Sequence, residues 1–289
     1  MTANAHPAGV IPETGCPYGD LYIYYVEGQV SSAMEERFGA SYIGNWLEDT
    51  SSFLFFSAPA DAEVGSLISE APGLVLADRF RIAYDHWQQD VSRPLEVGRF
   101  CVAPPWVSVP VEPGKTRIFL DPGVVFGTGT HPTTRDCLRA LERVFAHFRP
   151  ESMLDLGTGT GLLAVAAALL GCATVTAVDC NPLAVKTAKK NVALNDLCYR
   201  VKVVAGRAED LVRLHTDLVV ANIHFDAMQR LLKQDAFLDK KSFVLSGLMR
   251  SEVRDVMQVL GAMPVTVCRV WAHDSTWYTL WGCAVGRVA

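Results

Sequence analysis

Two carboxylates and one amide are the side chains of this sequence best placed to do chemistry. Asp155 sits inside LDLGTGTG (Leu154–Gly161), where Gly157, Gly159 and Gly161 allow sharp turns and close approach to a ligand. Asp179 closes ATVTAVD, 22 residues after Gly157. A carboxylate at that spacing can accept hydrogen bonds from both hydroxyls of a ribose. Asn222 ends DLVVAN, where an amide oxygen or backbone carbonyl can accept hydrogen bonds from an amine and aim its lone pair. The loop is not a P-loop, because no lysine follows Gly161. Nor is it the dinucleotide fingerprint, whose third glycine would fall on Leu162. Asp155 disfavours a pyrophosphate and suits an ammonium. Together these groups ask for a nucleoside with an amino-acid tail and no phosphates, which describes S-adenosylmethionine (SAM).

A second glycine-threonine run, VVFGTGTHPTTRD (Val124–Asp136), precedes the first by about one helix. The spacing of Leu138, Leu141, Phe145 and Phe148 predicts an amphipathic helix from Thr133 to Phe148, capped by Thr133 or Thr134. The two loops are expected to enclose one ligand. His131 reads as a loop residue holding that lid by hydrogen bonds rather than as a general base.

These residues need elements to carry them. After Pro132 the chain alternates strand (SMLDL, ATVTAVD, VKVVAG, DLVVANI, SFVLSG) and helix (LLAVAAALLG, PLAVKTAKKNVALN, FDAMQRLLK, SEVRDVMQVLG). That alternation predicts an α/β fold: a doubly wound parallel sheet, closed by a C-terminal antiparallel hairpin from PVTVCRVW and TWYTLWGCAV. Ligands of such sheets bind at the carboxyl ends of central strands. Upstream, LYIYYV, SSAMEERF, FLFF, DAEVGSLISE and LVLADRFRI read as strand, helix, strand, helix, strand, a small α+β domain. The expected division is a frayed terminus (1–19), the small domain (20–85), a proline-rich linker with connector strands (86–123) and the large domain (124–289).

The composition sets bounds. Half of the 289 residues are hydrophobic, and the net charge of -5 argues against nucleic acid as the default partner. No apolar run is long enough for a membrane span, and the first residues carry no leader pattern. Eight cysteines without a C-x-x-C pair, expected largely in apolar segments, suggest a reduced, cytoplasmic, soluble protein without a metal site.

LDLGTGTG with Asp179 resembles the first two motifs of class I (Rossmann-like) SAM-dependent methyltransferases. LDPGVVFGTGTHPTTRDCL, continuing into LDLGTGTGLLAVAAALLG and ANI, resembles the ribosomal protein L11 methyltransferase (PrmA) family, as do VGRFCVAPPW, VLSGL and STWYTL. The likeness runs from about Pro94 to the C-terminus. It implies a small N-terminal substrate-recognition domain ahead of the catalytic domain. It also implies SAM contacts from Phe126, Thr128, Thr134, Asp155, Gly157, Gly159, Asp179 and Asn222. Asn222 would face the methyl group and position an amine, lysine or α-amine, of ribosomal protein L11. Asn222 and Phe225 also resemble the N/D-P-P-Y/F motif of amino-methyltransferases, with Ile223 and His224 replacing its prolines, and IHFDAM stands where the family has ILAGPL. Another protein, RNA, a small molecule, or a non-catalytic SAM-binding role stay open.

Overall fold

The computed structural model describes residues 16–88, 93–110 and 112–286. Most of the segment expected to be frayed, residues 1–15, lies outside them.

The chain first builds β1 (Asp20–Glu27), α1 (Ser32–Glu35), β2 (Tyr42–Glu48), β3 (Ser51–Phe56), α2 (Asp61–Glu70), β4 (Val75–Ala83) and α3 (Tyr84–Gln88). Its four strands form an antiparallel sheet in the order β2-β3-β1-β4. Period-two alternation gives this sheet two apolar faces. Tyr24, Leu54 and Phe56 pack with Val64 and Leu67 of α2. Ile23 and Phe55 point the other way, toward Val124, Val125, Leu183 and Ala184. Strand β2 is absent from the sequence reading, because Gly44 and Asn45 interrupt its apolar pattern. That glycine has a tertiary cause: a Cβ there would lie 2.4 Å from the Leu183 side chain.

Next come β5 (Leu95–Val97), β6 (Phe100–Ala103) and β7 (Thr116–Phe119), a three-stranded sheet of their own. The stretch read as a linker is well packed: Val97, Phe100, Val102 and Ile118 share one core with Leu138, Leu141, Leu162 and Val165.

The remainder forms α4 (Pro132–His147), β8 (Ser152–Leu156), α5 (Leu162–Leu169), β9 (Thr174–Asp179), α6 (Pro182–Leu194), β10 (Val201–Ala205), α7 (Ala208–Leu211), β11 (Leu218–Asn222) and α8 (Phe225–Leu232). A 3-10 turn at Asp235–Asp239 leads to β12 (Ser242–Met249), α9 (Arg250–Gly261), β13 (Val265–His273) and β14 (Trp277–Ala284). The seven strands lie in the order β10-β9-β8-β11-β12-β14-β13. The first five are parallel, and β14 is inserted antiparallel between β12 and β13. This is the doubly wound sheet with a terminal antiparallel pair that the alternation predicts. The strand order departs in opposite directions from β8 and β11, so the crevice at their carboxyl ends is the switch point where such folds bind ligands.

Helix α4 corrects one expectation. It begins at Pro132, and the cap is His131, whose Nδ1 accepts from the Thr133 N–H (3.4 Å) and pairs with the Thr133 hydroxyl (2.8 Å). Proline at the first helical position lacks an N–H and has its φ already set, which puts the cap at His131, two residues upstream of Thr133. The cysteines differ as well. All eight are free, but only Cys101, Cys137, Cys172 and Cys283 are buried.

Candidate functional site

Strand β8 ends in a buried carboxylate. Asp155 is 1% exposed; its Oδ2 accepts from the Thr158 hydroxyl (2.6 Å), while Oδ1 has no hydrogen-bond partner among the described residues. Burial pushes its pKa up to about 7; the Thr158 hydroxyl and, less strongly, the Ala164 N–H oppose the rise, and the nearby Asp179 charge adds to it. The loop that follows is pinned to the next strand, since both Gly157 and Thr158 donate their N–H to Val178 O (2.9 Å each).

Asp179 ends β9 and faces that loop. Its Oδ2 accepts from Gly159 N and its Oδ1 from Asn181 N, both at 2.9 Å. Burial raises its pKa and these backbone donors hold it down. Each oxygen keeps a lone pair for a further donor. Gly159 takes φ +55°, and a Cβ there would meet Phe126 O at 2.6 Å, so only glycine lets the loops come this close.

The contact between the two glycine-threonine runs is direct. Thr160 donates its N–H to Phe126 O (3.2 Å) and its hydroxyl to Gly127 O (2.7 Å). On the other side of the crevice, Asn222 donates from Nδ2 to the Thr134 hydroxyl (3.4 Å), which leaves its amide oxygen as an acceptor. The first turn of α4 rests on the C-terminal strands. Ser246 donates to Thr133 O (3.5 Å) and pairs with Thr279 (2.6 Å), and the His131 ring meets Trp277 edge-on with centroids 4.8 Å apart.

The residues singled out in the sequence therefore fall into three groups. Asp155, Gly157, Gly159 and Asp179 converge at the β8 and β9 ends, and Thr134 of α4 meets Asn222 of β11 on the other side of the crevice. Phe126 offers its backbone to the glycine loop, but its ring is 69% exposed and packs edge-on against Trp46 at 5.6 Å. There it lines a groove of about 300 Å³ with Trp46, Phe53, Phe55, Phe80 and Trp87. Thr128 bonds to Thr130 (2.8 Å) and lines a separate hollow with Leu95, Val102 and Leu120, away from the two carboxylates.

His131 is neutral in character, because burial and then the neighbouring His273 lower its pKa. Sequence reasoning passed over Asn181, which caps α6 by accepting from Leu183 N (3.0 Å) and donates to Leu47 O (3.4 Å). Its signal was present: asparagine immediately before proline is a helix start.

A parallel sheet with this strand order, a glycine loop after its first strand and an acid after its second define a Rossmann-like methyltransferase fold. The family described as ribosomal protein L11 methyltransferase (PrmA) matches residues 82–284, more than half of the chain. The chain belongs to this family. A ribosomal protein L11 methyltransferase of Desulfitobacterium hafniense is 39% identical over 197 residues, 65% of this chain and 60% of that protein. One from Streptococcus pyogenes is 35% identical over 193 residues, 64% of this chain and 60% of that protein. The chain thus spans about 60% of the length of the curated relatives it matches. The crystal structure of a ribosomal protein L11 methylase from Lactobacillus delbrueckii subsp. bulgaricus superposes with TM-score 0.60 at 28% identity, covering 66% of this chain and 98% of that one. Strands β1–β3 and nearly all of β4 lie outside the residues that the family matches.

Proposed function

We propose that this chain binds SAM at the carboxyl edge of β8, β9 and β11 and transfers its methyl group to an amine of ribosomal protein L11. The observation that carries the reading is a pair of carboxylates bracketing one glycine loop in a member of this family. Asp179 would hold the ribose through its two remaining lone pairs. Asp155, with a buried oxygen that has no hydrogen-bond partner among the described residues, fits the ammonium of the amino-acid tail. Gly159, bare of side chain, lets the Phe126 carbonyl close on the loop and keeps its N–H on Asp179. When bound, SAM supplies an electrophilic methyl group on a sulfonium, a good leaving group.

The chain's own task is then alignment and exclusion of water. The Asn222 amide oxygen is available to accept from the incoming amine and turn its lone pair toward the methyl. A lysine, with an unperturbed pKa near about 10.4, must first lose a proton. His131 does not take it. Its Nδ1 lone pair is occupied by Thr133, so the neutral ring keeps its proton on Nε2. Water is left as the proton's destination. The small N-terminal domain reads the acceptor, and the aromatic groove beside Phe126 supports that role. Such an acceptor puts the reaction in the cytoplasm.

Incubation with purified ribosomal protein L11 and SAM, followed by intact-mass measurement, tests the reading. Mass increments of whole methyl groups on L11 are expected, located by peptide fragmentation on an amine nitrogen. An unchanged L11 mass, with SAM bound to the chain, would transfer the acceptor role to another molecule.

A further inference from the structure

Helix α6 carries Asn191 in its last turn and ends on Asn195, its C-cap, one turn further on. Asparagine is a weak residue for a helix interior, because its side chain competes for backbone hydrogen bonds. Here each amide is committed to the segment leading from β7 into the first glycine-threonine run. Asn195 accepts from Phe119 N (2.9 Å) and donates to Phe119 O (2.7 Å). Asn191 accepts from Asp121 N (2.8 Å) and donates to Asp121 O (2.9 Å). The two amides hold alternate residues of the segment much as a neighbouring strand would.

Asn191 then does something Asn195 does not. Its second N–H goes to Thr160 O at 2.8 Å, in the loop between Asp155 and Gly161. Both Asn191 and Thr160 are fully buried. Thr160 in turn holds Phe126 O and Gly127 O. The hydrogen bonds thus close a ring: Asn191 to Asp121, along the chain to Phe126 and Gly127, across to Thr160 and back to Asn191. Thr160 follows Gly159, whose N–H is aimed at Asp179.

We infer that Asn191 is a positioning residue for donor binding: it fixes the glycine loop and the segment from Asp121 to Gly127 in one register, so that Gly159 and Asp179 meet the nucleoside pre-aligned. The inference rests on the proposed SAM site. Asn195 supplies the matched control: its second N–H goes to Asn191 O (2.8 Å) on the same helix, so its loss frees the same segment without removing a hydrogen bond to the loop.

The test measures calorimetric Kd values for S-adenosylhomocysteine, together with thermal midpoints, for the wild type, Asn191→Ala and Asn195→Ala. Both substitutions should lower the midpoint. Only Asn191→Ala should also weaken binding, by about tenfold, equivalent to about 1.4 kcal/mol. Equal Kd values in Asn191→Ala and wild type, or an equal weakening in Asn195→Ala, would overturn the inference and leave the donor site standing. A folded wild type that binds no S-adenosylhomocysteine would instead remove the donor site and this role with it. If Asn191→Ala does not fold, Asn191→Ser enters the same comparison, since serine cannot span both carbonyls.

Discussion

At the scale of single residues, the two carboxylates should be separable by pH. Burial lifts the Asp155 pKa to about 7, so the folded, ligand-free chain holds it protonated only below that pH. A raised carboxyl pKa contributes stability that is fully present below the unfolded value of about 4 and is lost as pH rises through about 7. The thermal midpoint of Asp155→Asn should therefore gain on that of the wild type between about pH 5 and pH 8. An ammonium placed against Asp155 favours the carboxylate. Donor binding should then release a proton and tighten from about pH 5.5 to pH 7, read by calorimetry in buffers of different ionisation heat. Affinity independent of pH over that window would argue against an ammonium at this oxygen. Asn222→Ala should lower kcat by about 10- to 100-fold, through lost orientation of the amine, with little change in thermal midpoint. Wild-type turnover would remove it from the mechanism. The residue types at 155, 157, 159 and 179 were legible because local spacing alone brings them to adjacent strand ends. The orientation of Thr128 was not legible. It depends on positive φ at Gly127 and Gly129, which turn the intervening side chain toward β5 and β6.

At the scale of elements, α4 is the piece that joins the crevice to the rest of the sheet. Its cap and its contacts with Trp277 both run through His131. His131→Ala removes a capping acceptor and should destabilise the chain by about 0.5–2 kcal/mol, visible as a lower thermal midpoint. An unchanged midpoint would mean that water caps the helix equally well. The regular alternation after Pro132 made the seven-stranded sheet readable, because each strand and helix has the length and period that its burial demands. The irregular elements were harder. Strand β2 keeps a glycine for the sake of Leu183, more than a hundred residues away, and no local pattern records such a contact. The segment at 95–119 reads as a linker because its prolines dominate, yet its apolar residues complete the core beneath α4 and α5.

At the scale of the whole molecule, the small N-terminal sheet is seated on the large α/β part of the chain. Leu183 of α6 is buried against Gly44, Lys186 donates to Ile43 O (3.3 Å) and Asn181 donates to Leu47 O (3.4 Å). On the opposite flank, Trp87 and Gln88 donate to the carbonyls of Val124 and Gly123 (3.1 and 2.8 Å). The sheet thereby lies against the same segment that Asn191 ties to the glycine loop. Leu183→Ala should cost about 2–5 kcal/mol and speed amide exchange in β2 while leaving β8 protected. Equal exchange rates in β2 would show that the polar contacts alone seat the domain. This arrangement sets the proposed acceptor-reading part directly beside the proposed donor crevice.

The proposed chemistry requires a SAM-type nucleoside at the ends of β8 and β9 with its sugar on Asp179. Titration of S-adenosylhomocysteine into the wild type and into Asp179→Ala measures this most directly. One molecule should bind per wild-type chain, and loss of two charge-assisted hydrogen bonds should weaken binding by about 100-fold or more in the variant. A folded wild type that takes up none, or equal affinity in the two proteins, would contradict the account.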